Sequence, residues 1–262
     1  MKEVEEPDSG LVTVEYHDDV ALITLSDPER RNALSHAMSN ALASTVRGAV
    51  DSGARAVVLT AMPPVFCAGG SIDDLLDPPG PLSAAYEGLH ALAACPVPTI
   101  AAVGGPAIGA GVSLPLACDV VVVSSESSFD PRFLDIAIHP GGGHLWYLAR
   151  RVGHQGAAAM VLCGDVLTGQ EAVAAGLAWR CVAAKDLMAT AMQFARRTAD
   201  RPPGLVARTK DTLRRTARLE DPSEAERIEL EAQEWSVSQT EYQESVRRLR
   251  RQLKDRRRSD FV

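Results

Sequence analysis

The sequence predicts an α/β protein whose last quarter is helical. Short apolar runs typical of buried strands alternate with segments of helical periodicity up to about residue 187. After that residue no strand-like run remains. Strands that alternate with helices are typical of an α/β core, so the remaining chain is expected to form a helical extension. We place the boundary so that residues 1–195 form the core and residues 196–262 form the helical region.

The elements are predicted in chain order from these patterns. Val12–Tyr16 and Val20–Ser26 are expected to be strands joined by a tight turn at residues 17–19. A helix is expected over Ala33–Val50, since its period ends just before Ser52-Gly53. The later elements follow the same rules and are a strand at Ala54–Thr60, a helix ending near Ala94, strands at Thr99–Val103 and Val120–Ser124, a helical stretch after Pro140 and a short strand at Ala178–Val182.

The composition excludes several classes of protein. Of the 262 residues, 46% are hydrophobic and 23% are charged, which is typical of a globular protein with a large core. These fractions exclude a disordered chain, a collagen-like repeat and a coiled-coil rod. No apolar run reaches the roughly 18–20 residues of a membrane span. The first ten residues are acidic, whereas a secretory signal begins with basic residues. We therefore expect a cytoplasmic protein without a membrane partner.

The charge is distributed unevenly along the chain. Residues 1–195 carry 10 basic and 21 acidic residues (net −11), whereas residues 196–262 carry 17 and 13 (net +4). A protein-wide nucleic-acid surface does not fit this separation, so no nucleic-acid partner is expected. The five cysteines are widely spaced and include no CxxC pair. Buried, reduced thiols are therefore expected rather than metal ligands or disulfides.

Three loops rich in small residues carry the strongest functional signal. They are PVFCAGGSID (residues 64–73), GGPAIGAGV (104–112) and HPGGGH (139–144), and each follows a predicted strand or apolar segment. Glycine-rich turns let a ligand approach the backbone closely. Where such a turn opens a helix, its free N–H groups point outward and favour negative charge. Two of these loops facing each other could hold an oxyanion, although a tight strand-to-helix connection explains any one of them alone.

Motifs for other chemistries are missing. The second loop spaces its glycines as GxxxGxG, the reverse of the dinucleotide fingerprint, and no acidic residue ends a strand about 20 residues later. The chain contains no GxxxxGK[ST] phosphate loop, no HExxH motif and no GxSxG turn. His139 and His144 flank three glycines without a third ligand nearby, so no metal site is expected.

The order of these motifs resembles the enoyl-CoA hydratase/isomerase (crotonase) family. The resemblance is carried by PVFCAGGSI, PTIAAVGGPAIGAGVSLPLACDVVV, HPGGG and LTGQEAVAAGLAWRCV, and it spans residues 10–262. It implies a crotonase-type spiral of ββα repeats with a C-terminal helical trimerisation region, hence a homotrimer or a hexamer. It also implies that a coenzyme A thioester is the substrate and that no cofactor is bound.

The resemblance implies a role for several residues in the loops. The N–H groups of Gly70 and Ala110 correspond to the oxyanion hole, which would hold the thioester carbonyl oxygen and stabilise an enolate. Other residues of the loops and of the segment after the next strand are expected to contact the substrate; they are Ala68, Gly69, Ser71, Ile72, Asp73, Gly109 and Phe133.

The sequence departs from the family where its hydratases carry two glutamates. Aligned without gaps, those positions hold Ser113 and Phe133, and neither can act as a carboxylate. An aspartate that some isomerases carry just after the position of Pro140 is replaced by Gly141. Hydration by two carboxylates is therefore not expected, unless the alignment is shifted by one or two residues.

Asp135 is the best remaining acid in sequence. It lies two residues beyond the second missing glutamate, and neighbouring apolar residues would raise its pKa if it faced a pocket. Pairing with Arg132 or capping a turn is the alternative role. Ser113 could hydrogen-bond a substrate or water, but as a nucleophile it has no evident paired base in sequence.

Basic residues outside the loops suggest contacts with the coenzyme. Arg30 stands where the family contacts coenzyme A near its phosphates, although a solvated helix start is the alternative. The basic run at residues 247–258 could meet the coenzyme of a neighbouring subunit or form a plain solvated helix. Two functions remain: an enzyme that stabilises a thioester enolate, and a protein of the same fold that binds acyl-CoA without turning it over.

Overall fold

The computed structural model describes residues 10–259, and it describes side chains for residues 10–253. The strands are β1 (Val12–His17), β2 (Val20–Leu25), β3 (Ala56–Ala61), β4 (Thr99–Val103), β5 (Ala107–Ile108), β6 (Val120–Ser124), β7 (Ser128–Asp130), β8 (Leu167–Thr168) and β9 (Arg180–Val182). The helices are α1 (His36–Asp51), α2 (Ile72–Leu76), α3 (Glu87–Ala94), α4 (Ala110–Ala117), α5 (His144–Leu162), α6 (Gly169–Ala174), α7 (Leu187–Ala199), α8 (Pro203–Thr216), α9 (Pro222–Val237) and α10 (Thr240–Ser259). The chain is therefore mixed α/β, as predicted.

The strands form one large and one small sheet. The large sheet has the order β1-β2-β3-β4-β6-β9 and is parallel except for the β1–β2 hairpin. The small sheet has the order β5-β7-β8. The pairs β4–β5 and β6–β7 each place one strand in each sheet, and a helix follows each pair. This repeated β-β-α turn is the spiral that the resemblance to the crotonase family implies.

The central strands β3, β4 and β6 of the large sheet are buried on both faces. Val57 and Leu59 of β3 join the main core beneath α1 and α3, whereas Ala56 and Val58 join a second cluster with α7. Successive residues of a strand point to opposite faces, so a strand covered on both sides needs an unbroken apolar run. This explains why the central strands were visible in sequence as continuous apolar segments.

The chain divides into two compact units, Met1–Asp200 and Arg201–Val262. The boundary lies five residues beyond the predicted one, because α7 packs through Ala191 and Ala195 against the large sheet and belongs to the first unit. No strand follows β9 within the residues described, which agrees with the prediction that no strand follows residue 187. Among the same residues, no helix has both the length and the apolar character needed to cross a bilayer.

Local hydrogen bonds explain where the elements differ from expectation. Helix α1 begins at His36 rather than Ala33, because Leu34 forms a β-bridge with Gly70 and the Ser35 hydroxyl caps the helix by accepting from Met38 N. Strands β5, β7 and β8 were not predicted. Each has only two or three residues, which is too short for a periodic pattern to be recognised.

Candidate active site

The first two glycine-rich loops pack directly against each other. Cys67 and Ala107 form a parallel β-bridge, and the N–H of Ile108 donates to the Cys67 carbonyl oxygen at 2.9 Å. A Cβ atom on Gly111 would collide with that same carbonyl oxygen, so the close approach of the loops requires glycine at this position. The two loops are therefore held in a fixed relation by backbone contacts.

This packing brings two unpaired N–H groups together. Leu34 N donates to Gly69 O at 2.7 Å, in a bridge that does not use the Gly70 N–H. Ala110 is the first residue of α4, so its N–H has no acceptor within the helix. Within residues 10–259, no protein acceptor takes either N–H. A Cβ on Gly69 would lie 3.6 Å from Ala110 N, which shows how closely the loops meet.

A largely apolar cavity lies beside these two donors. Many of the predicted site residues line it, namely Ala68, Gly69, Gly70, Ser71, Ile72, Gly109, Ala110 and Phe133. Much of the remaining wall is aliphatic, namely Leu34, Leu75, Leu82, Ala85, Ile108, Ile136 and Ile138. A concave apolar wall with a few convergent polar groups is typical of a small-molecule site.

Ser113 does not line the cavity, and it has a partner that the sequence did not reveal. Its hydroxyl lies 2.9 Å from Nδ1 of His144, the first residue of α5, and both residues are buried. Burial lowers the pKa of His144 to about 4, so the imidazole is neutral at physiological pH. Its Nε2 atom is buried and has no hydrogen-bond partner. The aromatic ring of Phe133 packs edge-on against the imidazole, with 4.8 Å between ring centroids.

Besides Ser113, three predicted site residues lie outside the cavity lining. Asp135 is exposed in a short 3₁₀ helix, so the desolvation expected for its carboxylate is not found. Arg132 bonds to Asp130 instead, although Asp135 contributes electrostatically to raising the Arg132 pKa. Arg30 and Asp73 are also exposed and do not line the cavity.

The two loop histidines do not form a metal site. His139 Nδ1 lies 2.8 Å from the Pro140 carbonyl oxygen, whereas His144 contacts Ser113. Among the described residues no cluster of three or more His, Cys, Asp or Glu side chains could hold a metal ion. Three of the cysteines are buried, but Cys163 is exposed and Cys181 is partly exposed, so the expectation of buried thiols is wrong for these two.

The cavity also contains an ion pair that the sequence did not reveal. His36 Nδ1 and Asp74 Oδ2 are 3.0 Å apart, and the His36 backbone N–H donates to the same carboxylate oxygen at 2.7 Å. The hydrogen bond to Asp74 raises the pKa of His36, and the His36 backbone N–H lowers the pKa of Asp74. His36 Nε2 faces the Pro81 carbonyl oxygen at 3.2 Å. Because both ring nitrogens face acceptors, this arrangement favours the imidazolium form.

Tyr86 is a further cavity residue that sequence reasoning missed. It is the last residue of a 3₁₀ helix that precedes α3, and it is half-buried. No motif marks it, because its proximity to the glycines at 141 and 142 depends on the packing of two segments that are far apart in sequence. Burial raises the pKa of its phenol.

Known proteins share this fold and much of this sequence. The enoyl-CoA hydratase/isomerase family model matches residues 15–257. A Mycobacterium tuberculosis protein named "probable enoyl-CoA hydratase" is 40% identical over 246 residues, covering 90% of this chain and 94% of that protein. The 1,2-epoxyphenylacetyl-CoA isomerase of Escherichia coli is 34% identical over 193 residues, covering 70% and 74%.

A solved structure also matches the fold. A candidate enoyl-CoA hydratase from Thermobifida fusca, in complex with CoA, aligns with a TM-score of 0.81 and 28% identity, covering 89% of this chain and 95% of that one. Together with the family match, this similarity shows that the chain belongs to the enoyl-CoA hydratase/isomerase family and has the crotonase fold. Members of the family act on CoA thioesters.

Proposed function

We propose that the cavity binds a CoA thioester and that the N–H groups of Gly70 and Ala110 hold its carbonyl oxygen. The observation that carries this proposal is the pair of unpaired N–H groups on two interlocked loops at the wall of an apolar cavity. The Ala110 N–H also lies at the N-terminus of α4, where the helix dipole favours negative charge. Two such donors stabilise an enolate more than the neutral thioester, which lowers the barrier to forming it.

The relatives support the substrate class and leave the reaction open. One relative is named for enoyl-CoA hydration and another for isomerisation of an epoxyphenylacetyl-CoA. Both names describe reactions of CoA thioesters, although the bonds that change are different. An oxyanion hole serves any such reaction that passes through an enolate, so we assign the hole to this chain without assigning it conventional hydration.

The residues at the two glutamate positions favour a second candidate function. The Ser113 hydroxyl contacts His144 and does not line the cavity, whereas Phe133 contributes an apolar ring to it. Of the residues that line the cavity, the one carboxylate is Asp74, and it is bonded to His36. A cavity with this lining suits a protein that holds acyl-CoA without hydrating it, and this is our alternative.

The hole is tested by infrared spectroscopy of bound butyryl-CoA labelled with ¹³C at the thioester carbonyl. We expect the carbonyl stretch to move to lower frequency on binding, because hydrogen bonds polarise the C=O bond. Ala110→Pro removes one donor, and proline is tolerated at the first position of a helix. This variant should lose much of the shift, whereas the matched variant Ala110→Gly, which keeps the N–H, should retain it. An unchanged shift in Ala110→Pro would show that Ala110 does not contact the carbonyl.

Turnover distinguishes the two candidate functions. Crotonyl-CoA hydration can be followed by the loss of enoyl thioester absorbance, with calorimetric binding of the same ligand measured in parallel. An enzyme should lose on the order of 100-fold or more in kcat in Ala110→Pro, the usual effect of removing one oxyanion donor. Tight binding without turnover across several acyl chain lengths would select the binding protein.

We further propose that the chain acts in the cytoplasm as a homotrimer or hexamer assembled through the C-terminal unit. This unit exposes large apolar side chains on its last two helices, and they are Leu230, Val237, Tyr242, Val246, Leu249 and Leu253. Exposed apolar residues repeated along one segment are typical of surfaces that become buried by association.

A further inference from the structure

Two consecutive glycines make room for the ring of Tyr86. A Cβ atom on Gly141 would collide with the Tyr86 hydroxyl oxygen and would lie 2.9 Å from Cζ. A Cβ atom on Gly142 would lie 2.5 Å from Cδ1 of the same ring. Gly142 also has a φ of +63°, which favours glycine independently of the available space. The absence of side chains at Gly141 and Gly142 therefore leaves a niche that the Tyr86 ring fills.

The Tyr86 hydroxyl has no hydrogen-bond partner among the described residues, and its residue lines the cavity. Tyr86 lines the cavity together with the two N–H donors of Gly70 and Ala110. Within the part of the chain that the structure describes, no protein group forms a hydrogen bond with this hydroxyl. Because burial raises its pKa, the phenol keeps its proton at neutral pH and can act as a donor.

The other ionisable groups around the cavity already have partners. His36 and Asp74 are bonded to each other, and Arg132 is bonded to Asp130. Ser113 and His144 do not line the cavity. Of the described side chains that line it and can exchange a proton, Tyr86 is the one without a protein partner.

We propose that Tyr86 is the catalytic residue that transfers a proton to and from the α-carbon of the bound thioester. When an enolate is quenched, the phenol O–H bond breaks, its electron pair stays on the oxygen, and a C–H bond forms at the α-carbon as the thioester carbonyl is restored. The phenolate then takes a proton from water and releases hydroxide. In the reverse direction hydroxide takes the phenol proton, and the resulting phenolate removes the α-proton. The C–H electron pair becomes the carbon–carbon π bond of the enolate, and the carbonyl π pair moves to the thioester oxygen. This step rests on the proposed function, because the enolate needs the N–H donors.

Exchange of the α-protons of butyryl-CoA for deuterium in D₂O measures this step directly. We expect wild-type protein to exchange them above the rate in buffer, and Tyr86→Phe to be slower by at least about 100-fold, the usual contribution of a positioned acid or base. Phenylalanine preserves the ring that packs against the glycines, so folding should be unaffected. The calorimetric Kd for butyryl-CoA should remain within about threefold, since the variant lacks one hydroxyl donor and keeps the apolar contact.

Matched variants separate the hydroxyl from a general effect of losing a tyrosine. Tyr16→Phe changes an exposed tyrosine on β1 and should exchange at the wild-type rate. Gly141→Ala should slow exchange because its methyl group displaces the Tyr86 hydroxyl. Adding Gly141→Ala to Tyr86→Phe should cause little further loss, since both changes remove the same group from the same place.

The outcomes distinguish this proposal from the one on which it rests. Exchange within threefold of wild type in Tyr86→Phe would overturn the role of Tyr86, as would a wild-type protein that binds butyryl-CoA with a shifted carbonyl stretch but does not exchange its α-protons. In both cases the oxyanion hole would stand. A wild-type protein that binds with no shift of the carbonyl stretch would instead refute the hole, and the proton transfer with it.

Discussion

Acidification should destabilise the protein through the buried imidazole of His144. The folded state holds its pKa at about 4, whereas the unfolded chain has the ordinary value of about 6.5. The unfolded state therefore binds more protons between these two values, and stability falls as the pH is lowered through this range. For these two pKa values the free energy of unfolding contributed by His144 decreases by about 2 kcal/mol between pH 7.5 and pH 5.

Urea unfolding of wild type and His144→Gln at both pH values isolates this contribution. Glutamine keeps an amide group able to bond the Ser113 hydroxyl and does not titrate. We expect the stability advantage of wild type over the variant to shrink by about 2 kcal/mol on acidification, with other titrating groups cancelling in the difference. Both proteins are compared at one fixed concentration, so that any association contributes equally.

A difference that stays constant between pH 7.5 and pH 5 would refute the reasoning. It would mean that His144 is either solvated or charged in the folded state, contrary to its complete burial. Titration of ¹³C-labelled histidine by NMR provides an independent reading. The ring of His144 should remain neutral down to about pH 5.

Three further perturbations test other parts of the structure. Asn32→Ala should lower the free energy of unfolding by about 3 kcal/mol in urea. The buried Asn32 amide donates to the Met62 and Val65 carbonyl oxygens, and the Asp27 backbone N–H donates to its side-chain oxygen. The control Asn40→Ala changes an exposed asparagine and should leave the free energy of unfolding nearly unchanged. Ser113→Glu with Phe133→Glu should create or raise crotonyl-CoA hydration while either change alone does little, since water needs two oriented acceptors; equal rates in all three variants would contradict this. The full chain should scatter light as a trimer or hexamer, and a chain ending at residue 200 should not; a trimeric truncated chain would exclude assembly through the C-terminal unit.

Local signals in the sequence were sufficient for the fold class and for the loops. The central strands are visible because burial on both faces requires an unbroken apolar run such as Ala54–Thr60. The glycine-rich loops are visible because the close approach of one backbone to another excludes side chains, as at Gly111. Burial on both faces and close backbone approach each restrict the residue type at a single position. Both restrictions therefore appear directly in the sequence, as apolar runs and as glycines.

The polar pairs of the site were decided by tertiary structure alone. Ser113 looked like an unpaired helix serine, because its partner His144 lies 31 residues away on the next helix. Asp135 looked like the remaining acid, but the turn that carries it directs it to solvent. The Tyr86 niche likewise joins a residue before α3 to glycines before α5. When a hydrogen bond or a niche joins distant segments, the choice of each residue depends on the other. Neither residue alone therefore carries a signal that a single sequence can reveal.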